Sequence, residues 1–142
     1  MPMATTNRLI PLDAFGRDPP DLVHLTGSIQ VLARVTMGGA DDLPAHVELC
    51  FDAASVRGMG LKSGARYWVE GVHQSRHQPG EFSAPFDVVS RFELRRCAPD
   101  GSQPSELTLI VCFTVTVPSD GRVMVAAEDV ELLPDSSLRR SV

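Results

Sequence analysis

The chain has 142 residues, of which 43% are hydrophobic and 22% charged, and its net charge is −5. That length fits one domain able to bury roughly two-thirds of its unfolded surface, and the composition excludes a disordered chain. The acidic balance argues against nucleic acid as a partner, since neutralising phosphates needs a basic face. No apolar run reaches the length of a membrane-spanning helix, so no membrane partner is expected either.

Residues 1–21 show no clear period and are broken by Pro11, Pro19 and Pro20. They read as an N-terminal arm lying across the body, or as an anchor reaching a neighbouring subunit. The segment has no apolar stretch of signal-peptide length, which points to a cytoplasmic protein. Leu25–Met37 alternates: Ile29, Val31, Ala33 and Val35 share one face, with mostly polar residues opposite. Period two predicts a strand. Val47, Leu49 and Phe51 repeat the pattern. Residues 52–60 suggest a single helical turn capped by Asp52.

Residues 65–73 are rich in aromatics and valine and read as a strand, with Gly71 marking a bulge or tight bend. Residues 74–85, with two prolines and a glycine, read as a loop long enough to form a flap. Phe86, Val88, Phe92 and Leu94 then share one face of a further strand. The clearest signal is residues 106–132. Two apolar runs flank Pro118-Ser119-Asp120-Gly121, a hairpin turn in which Asp-Gly tolerates positive φ. In the returning strand the period slips at Ala126–Ala127, which predicts a bulge there. Residues 134–142 read as a flexible tail.

Short strands with Pro- and Gly-rich turns and no helix of ordinary length predict an all-β domain over residues 22–133. An antiparallel, lipocalin-like meander of six to eight strands, closed into a barrel, is the first expectation, and a sandwich is the second.

Candidate chemistry is sparse. His73 and His77 lie four apart, but no third ligand stands at a recognisable spacing, so no metal site is predicted. The glycine-rich stretch 58–64 matches neither GxxxxGK[ST] nor GxGxxG. No nucleophile elbow surrounds Ser90. The three cysteines, at 50, 97 and 112, are odd in number and lack CxxC spacing, so they read as reduced thiols. No cofactor is implied.

What remains is a set of inward-phased residues. Tyr67, Val69, Phe86, Val88, Phe92, Val111 and Phe113 would either fill a barrel or line an apolar pocket. His73 and Ser90 share those faces and would orient a bound molecule.

The stretches GMGLKSGARYWVEG (Gly58–Gly71), Phe92–Arg95 and FTVTVPSDGRVMV (Phe113–Val125) resemble small uncharacterised bacterial all-β barrel proteins. The resemblance spans about residues 45–132 and implies a fold without an activity.

Three functions follow as expectations. The first is a barrel that binds an apolar small molecule. The second is a structural protein with a filled core that associates with copies of itself through the N-terminal arm and the face carrying Ile110 and Cys112. The third is a cyclase or isomerase using the same pocket, with Tyr67 or His73 moving a proton.

Overall fold

A computed structural model describes residues 3–38, 44–78, 84–97 and 105–134. Among them there are nine strands and no helix: β1 (Met3–Asp18), β2 (Asp21–Met37), β3 (Pro44–Asp52), β4 (Arg57–Gly60), β5 (Arg66–Glu70), β6 (Val72–His77), β7 (Phe86–Cys97), β8 (Ser105–Thr116) and β9 (Met124–Pro134). All pairings are antiparallel.

The sheet runs β6-β3-β2-β4-β5-β7-β8-β9, with β1 on the other edge of β2. The order is simpler than it looks. β3 and β4 are two halves of one strand, interrupted at Ala53–Val56, where Val56 N–H donates to the Ala53 carbonyl. β5 and β6 are likewise two halves, joined at Gly71, whose φ of +91° makes the corner. The chain is therefore a meander of seven long strands.

The sheet is not closed, which differs from the expected barrel. It bends far enough for β1 and β9 to meet through side chains. Arg8 Nε donates to the Val123 carbonyl at 3.0 Å, and Val123 N–H donates to Thr6 Oγ1 at 3.3 Å. No backbone ladder joins β1 to β9.

Three segments depart from the sequence reading. The expected arm is β1, which pairs with β2 along its whole length, from Met3↔Thr36 to Asp18↔Asp21. Its inward positions include Ala14 and Gly16 while its outward ones include Leu9 and Phe15, so no contrast in hydrophobicity betrays the alternation. Pro11 is tolerated because β1 is an edge strand. The expected helical turn at 52–60 is a tight turn, with Ala54 N–H donating to Asp52 Oδ1, followed by strand β4. The first part of the expected loop, residues 74–77, belongs to β6. Residues 79–83 of that loop lie outside the described residues, as do 98–104 and 135–142; the first residue of the expected tail, Pro134, ends β9 and pairs with Leu107.

The hairpin is as read. Gly121 takes φ +79°, and its N–H donates to the Pro118 carbonyl at 2.9 Å. The bulge falls one residue beyond the expected Ala126–Ala127. Phe113 pairs with Ala127 and Cys112 with Asp129, leaving Glu128 as the extra residue. That one insertion keeps Val125, Ala127, Val130 and Leu132 on the inner face.

Inward residues from every long strand form one core. Phe51 of β3 stacks on Phe113 of β8, with ring centroids 4.4 Å apart. Burying such a side chain stabilises the fold by about 1.5–3 kcal/mol.

Candidate functional site

Seven of the nine expected lining residues are buried: Tyr67, Val69, Val88, Ser90, Phe92, Val111 and Phe113. His73 and Phe86 are half-buried. The strand phases thus bring the nine to one interior. There the apolar members pack into the common core. Four clefts among the described residues are open grooves, and of the nine Phe86 alone borders one of these four.

His73 and Ser90 meet where β6 and β7 run side by side without a backbone ladder. Continuing the β5–β7 register from Glu70↔Glu93 sets His73 opposite Ser90. His73 Nδ1 lies 2.9 Å from Ser90 Oγ. Four residues on, the His77 ring lies 5.1 Å from that of Phe86, and its Nε2 is 2.9 Å from Ser75 Oγ. Side-chain contacts thus span this seam. Burial pushes the His73 pKa below its ordinary value, helped by the nearby charges of Arg91 and His77; burial does the same to His77. Both shifts favour the neutral imidazoles. Ser90 is 0% exposed, which withholds its hydroxyl from any external substrate.

Tyr67 belongs to a polar cluster at the end of the sheet near the β1–β2 turn. Its hydroxyl donates to Asp18 Oδ2 at 2.8 Å and accepts from Arg96 Nε at 3.2 Å. Burial and the Asp18 carboxylate push its pKa up to about 12. A phenol held neutral in this way is a donor and not a base at physiological pH. Beside it, the carboxylate of Asp21 accepts from the Ser63 hydroxyl and from the backbone N–H groups of Leu22, Lys62 and Ser63. These bonds, the Ser63 hydroxyl first, hold its pKa down. The cluster ties the β1–β2 turn to the β4–β5 turn, and no buried side-chain polar atom among the described residues lacks a partner.

The outer surface carries two apolar patches. The first is built by β1, β2, β4 and the turn after it. Cross-strand register places Phe15, His24 and Met59 in one row. Phe15 stacks on His24 with centroids 4.6 Å apart, and His24 Nε2 lies 2.6 Å from Asp13 Oδ1. Leu22 and Leu61 adjoin the row, joined by the Leu61 N–H to Leu22 carbonyl bond. Phe15 is 55% and Leu61 57% exposed.

The second patch lies on β7 and β8. Val89 pairs with Cys112, and Ile110 follows two residues before Cys112 on the same outward face. Val72 of β6 falls opposite Arg91 in the continued register, and Arg91 stands between it and Ile110. Val72 is 54% and Val89 48% exposed, while Ile110 and Cys112 are half-buried. Met124, also exposed, lies further along the outer face of β9, opposite Thr116.

Comparison with protein-family models, with curated proteins and with solved structures finds no match. No group of three or more His, Cys, Asp or Glu residues among those described is placed to hold a metal ion. No helix among them is long and apolar enough to cross a membrane.

The first outer patch and the Asp18–Tyr67–Arg96 cluster escaped the sequence reading. Phe15, Asp18 and Leu22 lay in or beside a segment with no visible period. An exposed phenylalanine at alternate spacing from Leu9 is the one signal that could have exposed the patch.

Proposed function

We propose that this chain is a self-associating structural or interaction module with a filled core, acting through the outside of its sheet. The observation that carries the reading is the pairing of a tightly buried interior with contiguous apolar side chains on the outer surface. The inward side chains bury one another. Phe15, Leu22, Met59 and Leu61 gather in the first patch and Val89 in the second, while Met3, Leu9, Val72 and Met124 are exposed apart from them; clustered exposed apolar surface marks contact sites. Replacing Cys112 with Asp on the second patch should lower the molar mass of the assembly at a given concentration. An unchanged mass would count against that face as a contact.

A second reading has one observation in its favour. The β6–β7 seam presents half-buried His73, His77 and Phe86, and the expected lining residues stand behind it. A binder of apolar small molecules would admit its ligand there. The Val88→Phe variant separates the two. A filled core is overpacked by it and loses roughly 1–3 kcal/mol, whereas a hollow accepts the ring. A thermal-shift screen with fatty acids and terpenoids would move the melting temperature of the wild type only under the second reading.

A further inference from the structure

Both outer patches are ringed by charge, and the two rings have opposite sign. Around Phe15, Leu22, Met59 and Leu61 stand the exposed Arg17, Arg57, Lys62 and Arg66. Register fixes three of them: Arg17 faces Leu22, Arg57 faces Thr26 and Arg66 faces Met59. The carboxylate among them, Asp13, is held by His24. Around Val89, Ile110 and Cys112 stand the exposed Asp87, Glu93, Glu128, Asp129 and Glu131. Asp129 faces Cys112, and Glu131 faces Ile110. Among the described residues, Arg91 stands opposite Ile110 within that ring, and Arg76, paired with Glu48, borders Asp87. The Cys112 thiol registers the surroundings: its pKa is raised by burial first, then by Asp87, Asp129 and Glu128.

We propose that copies of this chain bind head to tail, the basic-rimmed patch of one seating on the acidic-rimmed patch of the next. The inference rests on the self-association reading above and adds which surface meets which. Apolar centres supply the attraction in either arrangement. The rims decide between arrangements, because like-on-like docking sets arginines against arginines or carboxylates against carboxylates, while the unlike pairing sets them against each other. The patches share no residue. A copy bound through one therefore keeps the other free, which makes the contact heterologous and lets it close into a ring or extend.

The test uses two variants with one patch disabled in each: Met59→Asp with Leu61→Asp, and Val89→Asp with Ile110→Asp. Circular dichroism checks that both keep the wild-type strand signal, and sedimentation velocity reads their mass. Head-to-tail binding predicts that each variant alone is monomeric. Mixed in equal amounts, they form a one-to-one dimer that grows no further, because each supplies its intact patch once. The dimer should dissociate as salt rises.

If one variant stays associated like the wild type while the other is monomeric, a single patch pairs with its own copy. The head-to-tail arrangement is then overturned while self-association stands. Two monomeric variants that ignore each other on mixing, or two that both still assemble, also overturn it. A wild type that is monomeric throughout removes the self-association reading itself.

Discussion

Leu132 of β9 lies directly over Gly16 of β1. A Cβ placed on Gly16 would fall 2.6 Å from Leu132 Cγ and 2.7 Å from its Cδ1. The contact sits where the bent sheet brings its two unpaired margins together. Few hydrogen bonds cross there, so close packing does much of the holding. Gly16→Val should overpack this junction and cost roughly 1–3 kcal/mol. Leu132→Ala should cost about 2–5 kcal/mol through its cavity. The double variant should cost less than the two combined, because the new side chain enters the space Leu132 leaves. Urea denaturation of the four proteins checks it, and strict additivity would mean that the margins do not press on each other.

Tyr67 is the single tyrosine of the chain, so its titration can be followed by ultraviolet absorbance. Burial and Asp18 raise its folded pKa to about 12, above the ordinary 10. The stability this gives is fully present below the unfolded value. It is lost as pH climbs from about 10 through about 12, because the unfolded chain releases its proton first. Tyr67→Phe should abolish that alkaline loss and cost roughly 1–3 kcal/mol at neutral pH, since Asp18 and Arg96 each lose a partner. A tyrosinate transition near the ordinary value would show that the hydroxyl is not held as described.

The histidine seam gives the opposite dependence. His73 and His77 have folded pKa values below the ordinary 6.5, chiefly through burial. Their contribution is whole above the unfolded value and declines as pH falls through the folded ones, because the unfolded chain takes up protons first. The melting temperature should therefore drop as pH falls through the ordinary 6.5 and below it. His73→Gln with His77→Gln should flatten that drop. An equally steep drop in the double variant would assign it to other groups.

The fold was legible wherever one face of a strand is apolar and the other is not. Ile29, Val31, Ala33 and Val35 announced β2, and the Pro118–Gly121 turn announced the β8–β9 hairpin with its bulge. Three strands hid for separate physical reasons. β1 has apolar side chains on both faces and a proline within it. β4 is four residues long, and its inward positions are Gly58 and Gly60, which carry no hydrophobic signal. β6 turns His73, Ser75 and His77 inward, so its alternation reads as that of a polar loop. The common face of Tyr67, Val88, Phe92 and Val111 was also legible. Whether that face encloses space was not, because it depends on how tightly the sheet bends, and that is set by the corner at Gly71 and the approach of β9 to Gly16. The outer patches depend on lateral register between strands distant in sequence, which alternation alone does not supply.

The central claim is that the outside of this sheet binds copies of the chain, and the molar mass of the wild-type protein tests it most directly. Light scattering from micromolar to submillimolar concentration should give a mass above the 15.4 kDa monomer that rises with concentration and falls with added salt. A mass equal to the monomer at every concentration would contradict the account.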